Sequence, residues 1–140
     1  MSQYQEQFND PEMRARIAAI AEKYRLSLAL LFGSQATGKT HTQSDVDIAI
    51  LSENGLRPRE LAELAYEIAS ALHIKEIDIT DLDSAPPLLL AEIARSARSL
   101  YERKPSDFAR FRIYAIKRFM EAKKLFQLRD ATIETKLKHA

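Results

Sequence analysis

Seven consecutive residues, Leu26-Ser27-Leu28-Ala29-Leu30-Leu31-Phe32, are apolar at every position but one. A run of this length, closed by Gly33, reads as a β-strand buried on both faces; a half-solvated strand would alternate with polar residues. The chain therefore has to place covering elements on both sides of a sheet, and the flanking segments supply them. Asp10-Pro11 is a helix start, with aspartate as N-cap and proline at the first helical position. Met13, Ile17, Ile20 and Tyr24 then recur at helical spacing, which predicts a helix over 11–25.

Beyond the apolar run, the polar stretch 33–44 holds two of the three glycines and reads as a loop. The β-branched segment 45–51 is a second strand, ended by Ser52-Glu53-Asn54-Gly55. Pro58 opens a helix with Leu61, Leu64, Ala65, Ile68 and Leu72 on one stripe. Residues 76–80 alternate as a third strand. Pro86-Pro87 starts another helix, whose expected buried face is Leu89, Ile93, Ala97 and Leu100. After a break at Lys104-Pro105, a last helix is expected over 106–129. Phe108, Phe111, Ala115, Phe119, Ala122 and Phe126 form its stripe, flanked by Ile113, Ile116 and Met120. The order α-β-β-α-β-α-α predicts an α/β (α+β) fold, a small mixed central sheet flanked by helices, with a long C-terminal helix. A chain of 140 residues is the size of one domain. We divide it into a core over 1–104 and a C-terminal helical extension over 105–140 that packs on the core, a partner, or both.

Composition removes several chemistries. There is no cysteine, so disulfides, thiolate metal sites and cysteine nucleophiles are excluded. The polar N-terminus lacks a signal-peptide pattern, and the longest wholly apolar run, Leu28 to Phe32, is far below the ~20 residues of a membrane helix. A cytoplasmic protein without membrane association is expected. The formal net charge of +1 conceals an asymmetry: residues 103–140 carry 11 Lys and Arg against 4 Asp and Glu, residues 1–102 carry 10 against 16. The basic tail is either a solvated helix face or a surface for an acidic partner.

Three carboxylates carry the chemistry. Side chains alternate along a strand, so Asp45 and Asp47 share one face while Val46, Ile48 and Ile50 take the other. Asp78 lies between Ile77 and Ile79 on a different strand; if the two strands are neighbours, all three aspartates converge. Such a cluster repels itself by roughly 1–4 kcal/mol per close pair, and a bound divalent cation is the commonest reason to keep one. Mg²⁺ takes a few carboxylates together with phosphate oxygens, and two ions about 3.5–4 Å apart can clamp a nucleotidyl transfer. Upstream, Gly33-Ser34 ends the buried strand, and ten residues separate Ser34 from Asp45. Glycine lets the backbone approach an anion, and serine offers an amide and a hydroxyl to phosphate oxygens. Alone, Gly-Ser is an ordinary turn, Asp-x-Asp a solvated strand edge and Asp78 a surface residue. Together they pair phosphate donors with metal ligands, as a nucleoside triphosphate requires. His41 in the same loop reads as a plain loop residue, His73 as a helix C-terminal residue suited to the helix dipole, and Lys75 and Glu76 as solvated.

The pattern Gly33-Ser34-x10-Asp45-x-Asp47 resembles the signature of the nucleotidyltransferase (polymerase-beta-like) superfamily, with Asp78 in the place of its third carboxylate. The length and the stretch GSQATGKTHTQSDVDIAIL are most similar to the minimal nucleotidyltransferases of prokaryotic toxin–antitoxin pairs. The likeness spans about residues 10–104. It implies that Gly33 and Ser34 hold the triphosphate, with Lys39 and Ser44 as further nucleotide-binding residues. It also implies that Asp45 and Asp47 bind Mg²⁺, and that Asp78 completes the metal site and helps deprotonate the acceptor. The family's Arg-Ala-Arg-Gly after Gly-Ser is here Gln35-Ala36-Thr37-Gly38, leaving Lys39 as the candidate for part of that charge.

By this resemblance the chain is an antitoxin enzyme, transferring AMP from ATP to a tyrosine of a cognate HEPN-type RNase toxin. Three alternatives stand beside it: a binding antitoxin that masks the toxin sterically, a nucleotidyltransferase acting on a small molecule such as an antibiotic, and an RNA-binding basic helix. Direct nucleic-acid binding is not the expectation. The apolar arc of the last helix, edged by Arg110, Arg112, Lys117, Arg118, Lys123 and Lys124, is the candidate partner surface; its other reading is plain packing on its own domain.

Overall fold

A computed structural model describes the chain over residues 5–33 and 46–139. Five helices and four strands lie among the described residues: α1 (Gln5–Asn9), α2 (Pro11–Lys23), β1 (Leu26–Phe32), β2 (Val46–Ser52), α3 (Pro58–Leu72), β3 (Ile77–Asp81), α4 (Pro87–Ser96), β4 (Arg98–Glu102) and α5 (Asp107–Lys138). The strands form one sheet in the order β3-β2-β1-β4. β1 runs antiparallel to both β2 and β4, whereas β2 and β3 are parallel. The sheet is therefore mixed, as expected.

The apolar run occupies a central strand, and Leu28, Ala29, Leu30 and Leu31 are all buried. Alternation divides them between two cores. Ala29 and Leu31 join Ile48 and Ile50 of β2 beneath α2 and α3, where Met13, Ile17, Leu64, Ile68 and Leu72 pack. Leu28 and Leu30 face the other way with Ala49, against Leu90 and Ile93 of α4 and Phe111 and Ala115 of α5. A strand apolar on both faces is thus satisfied by a helical layer on each side.

Local signals set several boundaries. The Asp10 carboxylate accepts from the Glu12 amide at 3.3 Å and Pro11 opens α2. Pro58 opens α3, and His73 ends it in the left-handed conformation at φ 54°.

The structure departs from the sequence reading in three places. The segment expected to continue the fourth helix to Leu100 leaves it at Ala97, which is extended (φ −75°, ψ 156°), and becomes β4. The buried residues of α4 are Leu90, Ile93 and Ala94 in place of a stripe beginning at Leu89. Short α1 was not anticipated; its Phe8 side chain is buried with Met13 and Ile17. The last helix also runs on past residue 129, to Lys138.

α2 and α3 are tied by one polar contact. Glu67 of α3 accepts from Lys23 Nζ at 2.8 Å and from the Tyr24 hydroxyl. Burial, and then the bond to Glu67, push the Tyr24 hydroxyl well above its ordinary pKa. The bonds from Lys23 and then from Tyr24 hold Glu67 below the usual glutamate range. A carboxyl lowered on folding contributes stability above its unfolded pKa, and that contribution is lost as pH falls through the folded value. Glu67→Gln is expected to cost about 1 kcal/mol at pH 7, discounted for the exposed lysine, or roughly 3–5 °C in Tm. Thermal melts should show the gap to wild type closing below pH ~4.3; a gap that persists into acid would mean packing, and not charge, is what was lost.

Candidate active site

Asp47 and Asp78 are register partners on the parallel pair β2–β3. Their neighbours Val46, Ile48 and Ile77 are buried in the core under α2 and α3, so both aspartates emerge on the opposite face. Ala49, two residues after Asp47, packs into the second core on that face. Asp47 is half-buried and Asp78 exposed. Adjacent strands lie about 4.8 Å apart, and two carboxylates at that spacing repel by roughly 1–3 kcal/mol, nearer the lower value where water screens them. The expected convergence of strands thus holds for two of the three aspartates. The third, Asp45, lies outside the described residues, as do Ser34, Lys39, His41 and Ser44.

Gly33 completes the described part of the site. Asp47 pairs across β1 with Phe32, which brings the next residue against its carboxylate. Gly33 has φ +76°, and a Cβ at this position would lie 2.5 Å from Oδ2 of Asp47. The carboxylate therefore occupies the space a side chain would fill. From sequence, Gly33 reads as room for a phosphate; that it also makes room for Asp47 follows only from the pairing of β1 with β2.

Arg98, beside Leu31 on β4, donates to Asn9 Oδ1 at 2.9 Å. Asp83 lies beyond the far end of β3; burial, then the neighbouring Asp81, raise its carboxyl. His73 is exposed at the end of α3. Among the described residues no three His, Cys, Asp or Glu side chains are grouped to hold a metal ion, so the described donor set is the Asp47–Asp78 pair. A half-buried and an exposed carboxylate on neighbouring strands, with Gly33 against the first, suit a hard cation carrying phosphate oxygens.

Arg112 departs from its expected place on a free cationic edge. Its Nε donates to the Ala94 carbonyl at 3.1 Å and its guanidinium sits 4.1 Å from the Phe108 ring centroid. It ties α5 to the last turn of α4.

Residues 15–106 match the family model described as polymerase beta, nucleotidyltransferase. A protein adenylyltransferase, MntA of Shewanella oneidensis, is 33% identical over 110 residues, covering 79% of this chain and 76% of that relative. A crystal structure of a toxin–antitoxin with AMP-PNP contains a chain similar to this one, with TM-score 0.69 and 29% identity over 89% of this chain and 98% of that one. The structure of a tri-AMPylated Shewanella oneidensis HEPN toxin in complex with MNT antitoxin also contains a similar chain, with TM-score 0.63 and 26% identity over 90% of this chain and 97% of that one.

Proposed function

Because this chain belongs to the polymerase beta nucleotidyltransferase family, we propose that it is an antitoxin that transfers AMP from ATP to a tyrosine hydroxyl of a HEPN-type toxin. The observation that carries the reading is the Asp47–Asp78 pair with Gly33 against it. A protein that inhibited only by covering its partner would gain nothing from a self-repelling pair on neighbouring strands. The solved relative with AMP-PNP and the one with an AMPylated toxin support the nucleotide and the acceptor.

In this reading Asp45, Asp47 and Asp78 hold Mg²⁺, as two ions, and Gly33, Ser34, Lys39 and Ser44 hold the triphosphate. The metal, when bound, supplies neutralisation of the charge on the phosphate oxygens. Gly33 keeps its backbone close and its side-chain space clear, so that the Asp47 carboxylate keeps its orientation. Asp78, the more exposed of the pair, takes the proton of the acceptor hydroxyl. The tyrosine oxygen forms its bond to the α-phosphorus, the bond from that phosphorus to the bridging oxygen breaks, and pyrophosphate leaves. The chain's contribution is positioning and fixed charge.

No helix among the described residues is long and apolar enough to cross a membrane, and we place the protein in the cytoplasm with its toxin. The basic residues of α5 we assign to that protein partner rather than to RNA, and residues 105–140 to an extension of a 1–104 core. Separate incubations with α-³²P- and γ-³²P-ATP, Mg²⁺ and the protein encoded beside this one test the reaction. Label from the α position alone should stay on the partner through a denaturing gel. Label from the γ position would mean phosphoryl transfer; no label on a partner that still forms a complex would leave steric masking.

A further inference from the structure

Helix α5 is 32 residues long, roughly 48 Å at ~1.5 Å per residue, yet only Phe111 and Ala115 on it are buried. Every residue of 123–138 is exposed. The apolar stripe does not stop where the packing does: Phe119, Ala122 and Phe126 continue to Ile133 and Leu137 at spacings of three, four and seven. Opposite the middle of this stripe lies the start of α4. There Leu88 is 70% exposed, and Phe126 facing it is 63% exposed. With Pro86, Phe119, Ala122 and Leu125 they line an apolar groove of about 790 Å³. Lys123 and Arg129 also border it, against one carboxylate, Asp130.

We propose that this groove receives an amphipathic helix with acidic flanks from the toxin partner. The inference rests on the partner reading above and adds where, and by what chemistry, the partner is held. Two helices bordering an apolar trough accept a third, which enters through side chains spaced three, four and seven apart. Charge selects the occupant. The segment from residue 103 onward carries 11 cations against 4 acids, so two copies joined through these arms would set like charge against like, whereas an acidic rim complements them. The exposed arm points the same way, because a helix of about 16 residues that buries none of its side chains is marginal in water. The groove is also separate from the chemistry. Pro86 and Leu88 follow the C-terminal end of β3, whereas Asp47 and Asp78 stand at the second positions of β2 and β3.

The test compares binding of the purified toxin encoded beside this chain to the full-length protein and to two variants. Leu88→Glu/Phe126→Glu changes only exposed side chains, and its helix content should match wild type by circular dichroism. Its affinity should fall at least about tenfold. Lys123→Glu/Arg129→Glu should slow association and flatten its salt dependence. At saturating toxin both should still transfer AMP. If wild type binds and labels the toxin and both variants do so with equal affinity, the groove is not the docking site and the enzymatic reading survives alone. If wild type does not bind the toxin, the partner reading fails and this inference with it; a homodimer dispersed by Phe126→Glu would then name a second copy as occupant.

Discussion

Alanine at both Asp45 and Asp47 is expected to lower AMP transfer by on the order of 10³ or more, with the protein still folded. A bound metal supplies several kcal/mol of transition-state stabilisation, and about 1.36 kcal/mol corresponds to tenfold in rate. Removing two of the three proposed ligands should forfeit most of that. Asp78→Asn sharpens the interpretation. Asp78 is exposed, and neutralising it relieves its repulsion with Asp47, its partner across the parallel pair. Transfer should therefore fall while the metal-free thermal midpoint stays level or rises. A lower midpoint without metal would make Asp78 a structural residue. Initial rates with labelled ATP, together with melts in EDTA, separate the two.

Gly33→Ala should be almost as damaging to activity, at a modest cost to the fold. At φ +76° an alanine is strained, which costs roughly 1–2 kcal/mol. The larger effect is local. The added methyl would sit 2.5 Å from Oδ2 of Asp47, and the carboxylate, as the end of a short side chain, swings away more cheaply than the backbone moves. The variant should melt a few degrees below wild type yet lose on the order of 10² or more in transfer, because a ligand displaced by about 1 Å misplaces the reacting groups. Loss of activity only in proportion to loss of folded protein would show that Gly33 serves the turn and not the site.

How much of this was legible beforehand depends on which physical signal each residue carries. The central strand was, since a run apolar on both faces has few other fates, and alternation alone put Asp47 on the face opposite Val46 and Ile48; that Asp78 shares that face rests on the parallel pairing of β2 with β3. β4 was not. Ile93, Ala97 and Leu100 stand four and three apart, so the helical period runs unbroken through the point where the chain leaves α4. The five residues of β4 bury only Leu100, too little for a strand signal; what makes them a strand is the open edge of β1. The contact between Gly33 and Asp47 was hidden for a related reason. It depends on the register Phe32↔Asp47 across the antiparallel pair, and register belongs to the pairing rather than to either segment. The width of the apolar arc on α5 was visible, but not that Arg112 bonds the Ala94 carbonyl or that Phe126 and Leu88 stay exposed.

The measurement that bears most directly on the whole account is the intact mass of the toxin after incubation with this protein, Mg²⁺ and ATP. Wild type should add one or more whole AMP units, mapping to tyrosine, and the Asp45→Ala/Asp47→Ala variant should add none while still binding the toxin. An unchanged toxin mass in a stable wild-type complex, or an AMP adduct that survives loss of both aspartates, would contradict it.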